Sequence, residues 1–168
     1  MENKTMPGQA NCAAELPRAR TRRINVGGVR MGAGAPVVVQ SMLTAPTANP
    51  EAAIAQAKGL AEAGCEIVRA AIPNSSALDG FAQLCRACPV PVVADIHFDH
   101  RLAVRACELG ASGLRINPGN IGSWDKVDAV IDAWKVAMCG NDTITGDEAL
   151  EAWLEMYNEH IARTGTTK

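Results

Sequence analysis

The sequence alternates four times between a short apolar run and a segment with helical periodicity, which narrowly constrains its fold. The runs occupy residues 37–42, 66–70, 92–96 and 113–116. The first three are almost continuously apolar and rich in β-branched residues, as strands buried on both faces of a parallel sheet should be. Strand–helix–strand units with short connections favour right-handed crossovers. The sequence therefore predicts an α/β fold with about four parallel βα units, a partial (β/α) TIM-type barrel.

The predicted helices have recognisable beginnings. Asn49 can cap the first helix, with Pro50 at its opening position. The second helix should start near residues 75–76, and Asp99 should cap the third. The fourth should follow Ser123, after a glycine-rich connection. These signals place helices between and after the predicted strands.

The regions on either side of the repeat are expected to differ from it. Residues 23–31 predict a β-hairpin with a two-residue Gly-Gly turn. A strongly amphipathic helix is expected at about 145–163, with no fifth strand before it. The predicted divisions are a disordered basic lead-in (1–22), a partial barrel with its hairpin (23–135) and a divergent tail (136–168).

Composition excludes several classes of protein. The 16 basic and 18 acidic residues give a net charge of −2, which argues against a nucleic-acid-binding surface. No apolar stretch is long enough to span a membrane, and residues 1–23 lack a secretory signal, so a cytoplasmic chain with reduced cysteines is expected. The 168 residues are fewer than the roughly 200–250 of a complete eight-stranded barrel.

The Cys85-x-x-Cys88 spacing suggests a redox or zinc site, but no second cysteine pair or nearby histidine pair completes it. Both cysteines continue the apolar spacing of the second predicted helix. We therefore interpret them as core-facing positions and expect no metal site.

Polar side chains fall where the predicted strands end, and ligands bind at that edge of a parallel sheet. Arginine is costly to bury unless it meets an anion, and its planar fork suits phosphate oxygens. The candidate residues are Ser41, Arg69, Asp95, His97, Arg115 and Asn117.

One pair of these residues and the loop that follows them carry further hypotheses. Period-two spacing places Asp95 and His97 on one side of an extended strand end, where together they could transfer a proton. Alternatively, Asp95 accepts hydrogen bonds from loop N–H groups and His97 stacks as a lid. The loop at 118–122 could hold a phosphate through N–H groups at a helix start, or be an ordinary βα turn.

Four motifs stand in the order found in the 4-hydroxy-3-methylbut-2-enyl diphosphate synthase family, which this chain resembles over roughly residues 20–133. The longest are Val-Ala-Asp-Ile-His-Phe-Asp at 93–99 and Leu-Arg-Ile-Asn-Pro-Gly-Asn-Ile-Gly at 114–122. The shorter motifs lie at 39–42 and 67–69, and the hairpin at 23–34 resembles the family's N-terminal segment.

The resemblance implies a reductive enzyme of non-mevalonate isoprenoid biosynthesis that opens 2-C-methyl-D-erythritol 2,4-cyclodiphosphate. The family joins a diphosphate-binding β/α barrel to a domain with a 4Fe-4S cluster, which receives electrons from ferredoxin or flavodoxin. By resemblance, Asp95 and His97 would be catalytic and would hydrogen-bond the substrate. The implied substrate-binding residues are Ser41, Arg69, Arg115, Asn117 and Asn120.

The chain departs from the family pattern in two places. Residues 43–45 are Leu-Thr-Ala where the family usually has Thr-Asn-Thr. Beyond about residue 133, the next barrel strand and the Cys-Pro-x-Cys cluster ligands are absent. The expectation is therefore an N-terminal fragment, inactive by itself and without cluster ligands.

Two alternatives stay open. One is a non-catalytic diphosphate-binding or assembly half-barrel, in which the 145–163 helix covers the sheet edge or mediates homodimer formation. The other is a pterin-binding type of barrel, which shares the strand-end chemistry but lacks the motifs at 95–99 and 114–122.

Overall fold

A computed structural model describes residues 21–138, and these contain the alternating strands and helices that the sequence predicts. The elements in chain order are β1 (Ile24–Val26), β2 (Val29–Met31), β3 (Gln40–Met42), α1 (Pro50–Glu62), β4 (Ile67–Ala71), a 3-10 turn (Ser75–Ala77), α2 (Leu78–Ala87), β5 (Val92–Ile96), α3 (His100–Glu108), β6 (Gly113–Ile116), α4 (Pro118–Ile121) and α5 (Trp124–Met138). The predicted tail helix at about 145–163 and most of the predicted lead-in lie outside the described residues.

Within the described residues, β3, β4, β5 and β6 form one parallel sheet in that order, and β1 pairs with β2 as an antiparallel hairpin. The prediction of an α/β fold with four parallel βα units and an N-terminal hairpin is therefore confirmed. Sequential strands are neighbours in space because each short helical crossover returns the chain beside the strand it left.

The two faces of this sheet have different chemistry. Paired positions on neighbouring strands point their side chains to the same face. Val68 pairs with Val92, and Ala70 with Ala94, on the face that contributes to the main hydrophobic core. The alternate positions include the charged residues of the sheet: Asp95 pairs with Arg115, and Arg69 lies on the same face.

The helices complete the core with many small side chains. Ala53 and Ala57 of α1 and Ala103 and Ala106 of α3 are fully buried, and Phe81 of α2 is the largest fully buried side chain. Alanine lets helix backbones approach closely, which compensates for the shortage of aromatic residues in filling the core. Among the described residues, no helix is both long enough and apolar enough to cross a membrane.

The hairpin turn packs against the amino ends of the strands, at the opposite end of the sheet from their polar carboxyl ends. A Cβ on Gly27 would lie 2.7 Å from Pro91 Cβ and 2.9 Å from Ser112 Oγ, and both neighbours precede a strand. The φ angles of Gly27 and Gly28 are +56° and +98°, as a tight two-residue hairpin turn requires. The hairpin therefore contacts the end of the sheet opposite the candidate site.

The predicted helix starts are confirmed at three places. The side chains of Asn49 and Asp99 cap α1 and α3 by accepting hydrogen bonds from the N–H groups of Ala52 and Arg101. The second helical segment begins at Ser75, as predicted, with a 3-10 turn that Asn74 caps through the Ser76 N–H. Asparagine is among the residues preferred at this position.

The first predicted strand is shorter and less buried than expected. Its ladder covers Gln40–Met42, whereas the prediction began at residue 37. Val37 and Val39 are 72% and 54% exposed, so the expectation of burial on both faces is wrong for this strand. Among the described strands β3 lies at one edge of the sheet and has a hydrogen-bonded neighbour on one side only.

Candidate functional site

A buried carboxylate lies at the centre of the polar face of the sheet. The Asp95 side chain, on β5, is only 1% exposed. Its Oδ1 accepts a hydrogen bond from Arg115 Nη1 at 3.0 Å. Its Oδ2 lies 3.5 Å from Arg69 Nε and 3.4 Å from His97 Nε2. Because an unpaired buried carboxylate is strongly unfavourable, the two arginines explain how Asp95 is tolerated there.

The strand register brings these groups together. Asp95 lies directly beside Arg115 of β6 and beside Ala71 of β4. The side chain of Ala71 is only a methyl group, and the longer side chain of Arg69, two residues earlier on the same face, reaches the carboxylate. His97 follows Asp95 by two positions, so both side chains lie on one side of the extended chain.

The cluster of Arg69, Asp95 and Arg115 carries more positive than negative charge. Two guanidinium groups share one carboxylate, and an arginine has five N–H donors, more than a single carboxylate can use. The Arg69 and Arg115 side chains are 31% and 41% exposed, whereas Asp95 is enclosed behind them. The arrangement presents partly exposed arginine donors on a fixed support, which suits an anion with several oxygens.

Met42 extends this cluster to β3, the remaining strand of the parallel sheet, and was not among the predicted site residues. It pairs with Arg69 in the parallel register, and its Sδ accepts a hydrogen bond from Arg69 Nη2 at 3.2 Å. A line of contacts thus crosses the sheet from Met42 through Arg69 and Asp95 to Arg115. The available sequence signal was the position of Met42 at the end of the first apolar run.

Ser41 lies apart from this cluster. It pairs with Val68, on the face of the sheet that supplies the hydrophobic core. Successive side chains of a strand point to opposite faces, so the position beside Arg69 belongs to Met42 and not to Ser41. A position at a strand end shows that a residue lies near the carboxyl ends of the strands. It does not show to which face of the sheet the side chain points.

Asn117 and Asn120 belong to the turn that follows Arg115. The Asn117 side chain caps the one-turn helix α4 by accepting a hydrogen bond from the Gly119 N–H at 3.1 Å. The N–H groups of Asn120 and Ile121 donate to the Asn117 carbonyl. These bonds use the N–H groups of Gly119, Asn120 and Ile121. A phosphate-binding role for this loop stays a prediction. Asn120 is exposed on α4.

The connection from β6 to α5 is not the single glycine-rich loop that the sequence suggested. α4 interrupts it, and Gly122 then adopts a φ of +109° before α5 begins at Trp124. A left-handed φ is available to glycine at little cost. This turn separates the end of β6 from the start of α5.

The described cysteines do not fit an iron–sulfur cluster. No group of three or more histidine, cysteine or acidic side chains among residues 21–138 is placed to hold a metal ion. Burial raises the pKa of Cys85 to about 12, and burial also raises the pKa of Cys88. Cluster ligands are thiolates, whereas these environments favour the protonated thiol. Cys85 and Cys88 pack against the core, as the helical spacing predicted.

Comparisons with known proteins place this chain in a family. The model of the GcpE TIM-barrel domain matches residues 21–140. A protein of Maridesulfovibrio salexigens is 51% identical over 120 residues, which are 71% of this chain and 34% of that protein. One of Idiomarina loihiensis is 48% identical over 118 residues, 70% of this chain and 32% of that protein. Both are named 4-hydroxy-3-methylbut-2-en-1-yl diphosphate synthase (flavodoxin).

The chain spans about a third of the length of these curated relatives. The matched region contains the hairpin, the four parallel strands and the whole Arg69–Asp95–Arg115 cluster. The motif resemblance seen in the sequence is confirmed, and so is its implication of a partial TIM-type barrel. With more than half of its residues matched by the family model, the chain belongs to the GcpE TIM-barrel family.

Proposed function

We propose that this chain supplies the diphosphate-binding part of a 4-hydroxy-3-methylbut-2-enyl diphosphate synthase, with 2-C-methyl-D-erythritol 2,4-cyclodiphosphate as the substrate. The observation that carries the proposal is the convergence of Arg69 and Arg115 on the enclosed carboxylate of Asp95. The names of the relatives support the reaction class. A cyclic diphosphate offers several anionic oxygens to the two guanidinium groups.

In this proposal the arginines bind and Asp95 positions them. Both Asp95 oxygens already face cationic partners, and its side chain is almost fully enclosed. The carboxylate is therefore placed to fix the two arginines and is not exposed toward a ligand. Preorganised donors of this kind lose less freedom when the ligand binds.

His97 lies beside the cluster and is the side chain best placed to contact the organic part of the substrate. Its side chain is 43% exposed, and Asp95 Oδ2 lies 3.4 Å from its Nε2. An imidazole has two ring nitrogens, so His97 can face Asp95 with one and form a hydrogen bond to a ligand with the other. We propose that His97 contacts the substrate beside the diphosphate, with Asn117 and Asn120 in the adjoining turn. Ser41 would contribute indirectly, through the strand that carries Met42.

Reduction would need the 4Fe-4S cluster of the family and, for the whole protein, flavodoxin as electron donor. The names of the relatives support flavodoxin over ferredoxin. Because the described cysteines do not fit a cluster, we assign no electron-transfer step to residues 21–138. The proposed contribution of these residues is binding and orientation.

The binding proposal is tested by titration calorimetry of the 168-residue chain with the cyclodiphosphate and with inorganic pyrophosphate. Arg69→Ala and Arg115→Ala should each weaken binding about tenfold or more, as expected when a charge-assisted hydrogen bond is lost. The control is Arg105→Ala, which removes the same charge from an exposed position on α3, where Arg105 pairs with Glu108. No binding by the unmodified chain, or an equal loss in the control, contradicts the proposal.

A chimera tests the reaction. Residues 21–138 of this chain replace the matching region of the Maridesulfovibrio salexigens relative, and turnover is measured with reduced flavodoxin and with reduced ferredoxin. We expect turnover with flavodoxin that is lost on Arg115→Ala. A folded chimera that binds the cyclodiphosphate without turnover would instead support the non-catalytic binding module.

A further inference from the structure

We infer that Met42 is a positioning residue: its thioether sulfur holds the guanidinium of Arg69 in the orientation that receives an anion. The inference rests on the proposed function and assigns to this site a residue from the edge strand β3. The role is indirect, since Met42 would act through Arg69 and not by bonding the ligand.

The Arg69 side chain is held from two sides. On one side its Nη2 donates to Met42 Sδ at 3.2 Å. On the other, its Nε faces Asp95 Oδ2 at 3.5 Å. That Nε is buried and has no hydrogen-bond partner among the described residues. The sulfur contact is therefore the hydrogen bond that fixes the outer end of the guanidinium in the described structure.

The strength of the sulfur acceptor suits this task. A thioether accepts only weakly, so it can orient an arginine and still release it to a stronger acceptor. A phosphate oxygen is such an acceptor, because hydrogen bonds between ionised groups are about twice as strong as neutral ones. The parallel register fixes Met42 beside Arg69, so the contact does not depend on a flexible loop.

Leucine removes the acceptor and nearly preserves the volume of methionine. Met42→Leu should leave Arg69 more conformers and weaken pyrophosphate binding about three- to tenfold, the range expected when one long side chain must be ordered on binding. Met42→Gln restores an acceptor at this position and should bind pyrophosphate within about threefold of the unmodified chain. The matched control is Met31→Leu, the same substitution in the hairpin strand β2.

The experiment is calorimetry with inorganic pyrophosphate on the full chain, arranged as a double-mutant cycle with Arg69→Ala. The effect of Met42→Leu should vanish when Arg69 is absent. An equal loss in both backgrounds means that Met42 acts through the fold and overturns the inference. If Arg115→Ala abolishes binding while Met42→Leu changes nothing, the proposed function stands and the inference fails.

A second measurement needs no ligand. In arginine labelled with nitrogen-15, the rate of rotation about the Nε–Cζ bond of Arg69 should rise in Met42→Leu and stay unchanged in Met31→Leu. An unchanged rate in Met42→Leu overturns the inference. If the unmodified chain binds neither pyrophosphate nor the cyclodiphosphate, the proposed function fails, and this rate alone decides whether Met42 positions Arg69.

Discussion

Asp95 and Arg115 lie opposite each other on adjacent parallel strands, and their side chains are joined by a 3.0 Å hydrogen bond. The carboxylate is enclosed, whereas the arginine is 41% exposed. A buried acid thus fixes a cation whose outer donors stay accessible. This division of roles makes the cluster both a stabilising contact within the sheet and a candidate anion site.

Replacing Asp95 by asparagine should destabilise the fold while changing little of its volume. Arg69 and Arg115 would then lack their counter-charge, and we expect a loss of about 1–3 kcal/mol in the free energy of unfolding. Urea denaturation measures it. Asp128→Asn, an exposed position on α5, is the control. Equal stabilities of the two variants would show that the Asp95 contacts contribute nothing to folding.

Alanine in place of Gly80 and Gly59 should have opposite effects on stability. A Cβ on Gly80 would lie 2.0 Å from the carbonyl oxygen of Thr47, so Gly80→Ala must displace backbone and should cost about 1–3 kcal/mol. Gly59 lies in α1 with open space around it, and Gly59→Ala should gain roughly 0.5–1 kcal/mol from helix propensity. Thermal or urea unfolding measures the free energy of unfolding of both variants. A Gly80→Ala variant as stable as the unmodified chain would contradict the close packing at Gly80, and a destabilised Gly59→Ala variant would contradict the open space at Gly59.

Asp99 should stabilise the fold less as the pH falls. Its side chain accepts hydrogen bonds from the Arg101 guanidinium and N–H, which lower the pKa of the carboxyl below its usual value. A group whose pKa is depressed by folding contributes stability above its unfolded pKa, and loses it as the pH falls through the folded value.

The matching experiment compares the unmodified chain with Asp99→Asn and Asp99→Ala in urea at neutral and acidic pH. Asn keeps a capping oxygen, whereas Ala removes it and should cost about 1 kcal/mol at neutral pH. The difference between Asp and Asn should shrink in acid. A difference that is independent of pH would mean that the charge of Asp99 has no effect on stability.

The half-buried Cys85 and the buried Cys107 should resist alkylation in the folded chain. Burial raises the pKa of Cys85 to about 12 and that of Cys107 to about 11, so both are thiols near neutral pH. Since the thiolate is the nucleophile, iodoacetamide should modify these positions slowly until the chain is unfolded in urea. Mass spectrometry of peptides from native and unfolded samples gives the rates. Fast native labelling of Cys85 would contradict the raised pKa of its thiol.

Cys85 should also make the stability of the fold depend on pH in the alkaline range. The folded pKa of Cys85 lies above its usual value of 9.0, so its contribution to stability is complete below that value and declines as the pH rises toward 12. In Cys85→Ala this part of the alkaline decline should disappear. An identical pH dependence in the variant and the unmodified chain would contradict it.

Local signals sufficed where the structure depends on neighbours in sequence. Asn49 and Asp99 cap helices because a short polar side chain reaches an N–H two or three residues ahead, an interaction that sequence alone reveals. The Gly27-Gly28 turn is equally local. The exposure of Val37 and Val39 was not predictable in this way, since it depends on what packs beside the edge strand.

The sequence by itself determined the alternation of strands and helices, and with it the edge of the sheet where Arg69, Asp95 and Arg115 lie. Tertiary structure decided the face and the partners: Met42 instead of Ser41 contacts Arg69, and Asp95 is enclosed. The reason is physical. Side chains alternate between faces every residue, and the register between strands is set by backbone hydrogen bonds to a neighbour distant in sequence, which no single strand specifies.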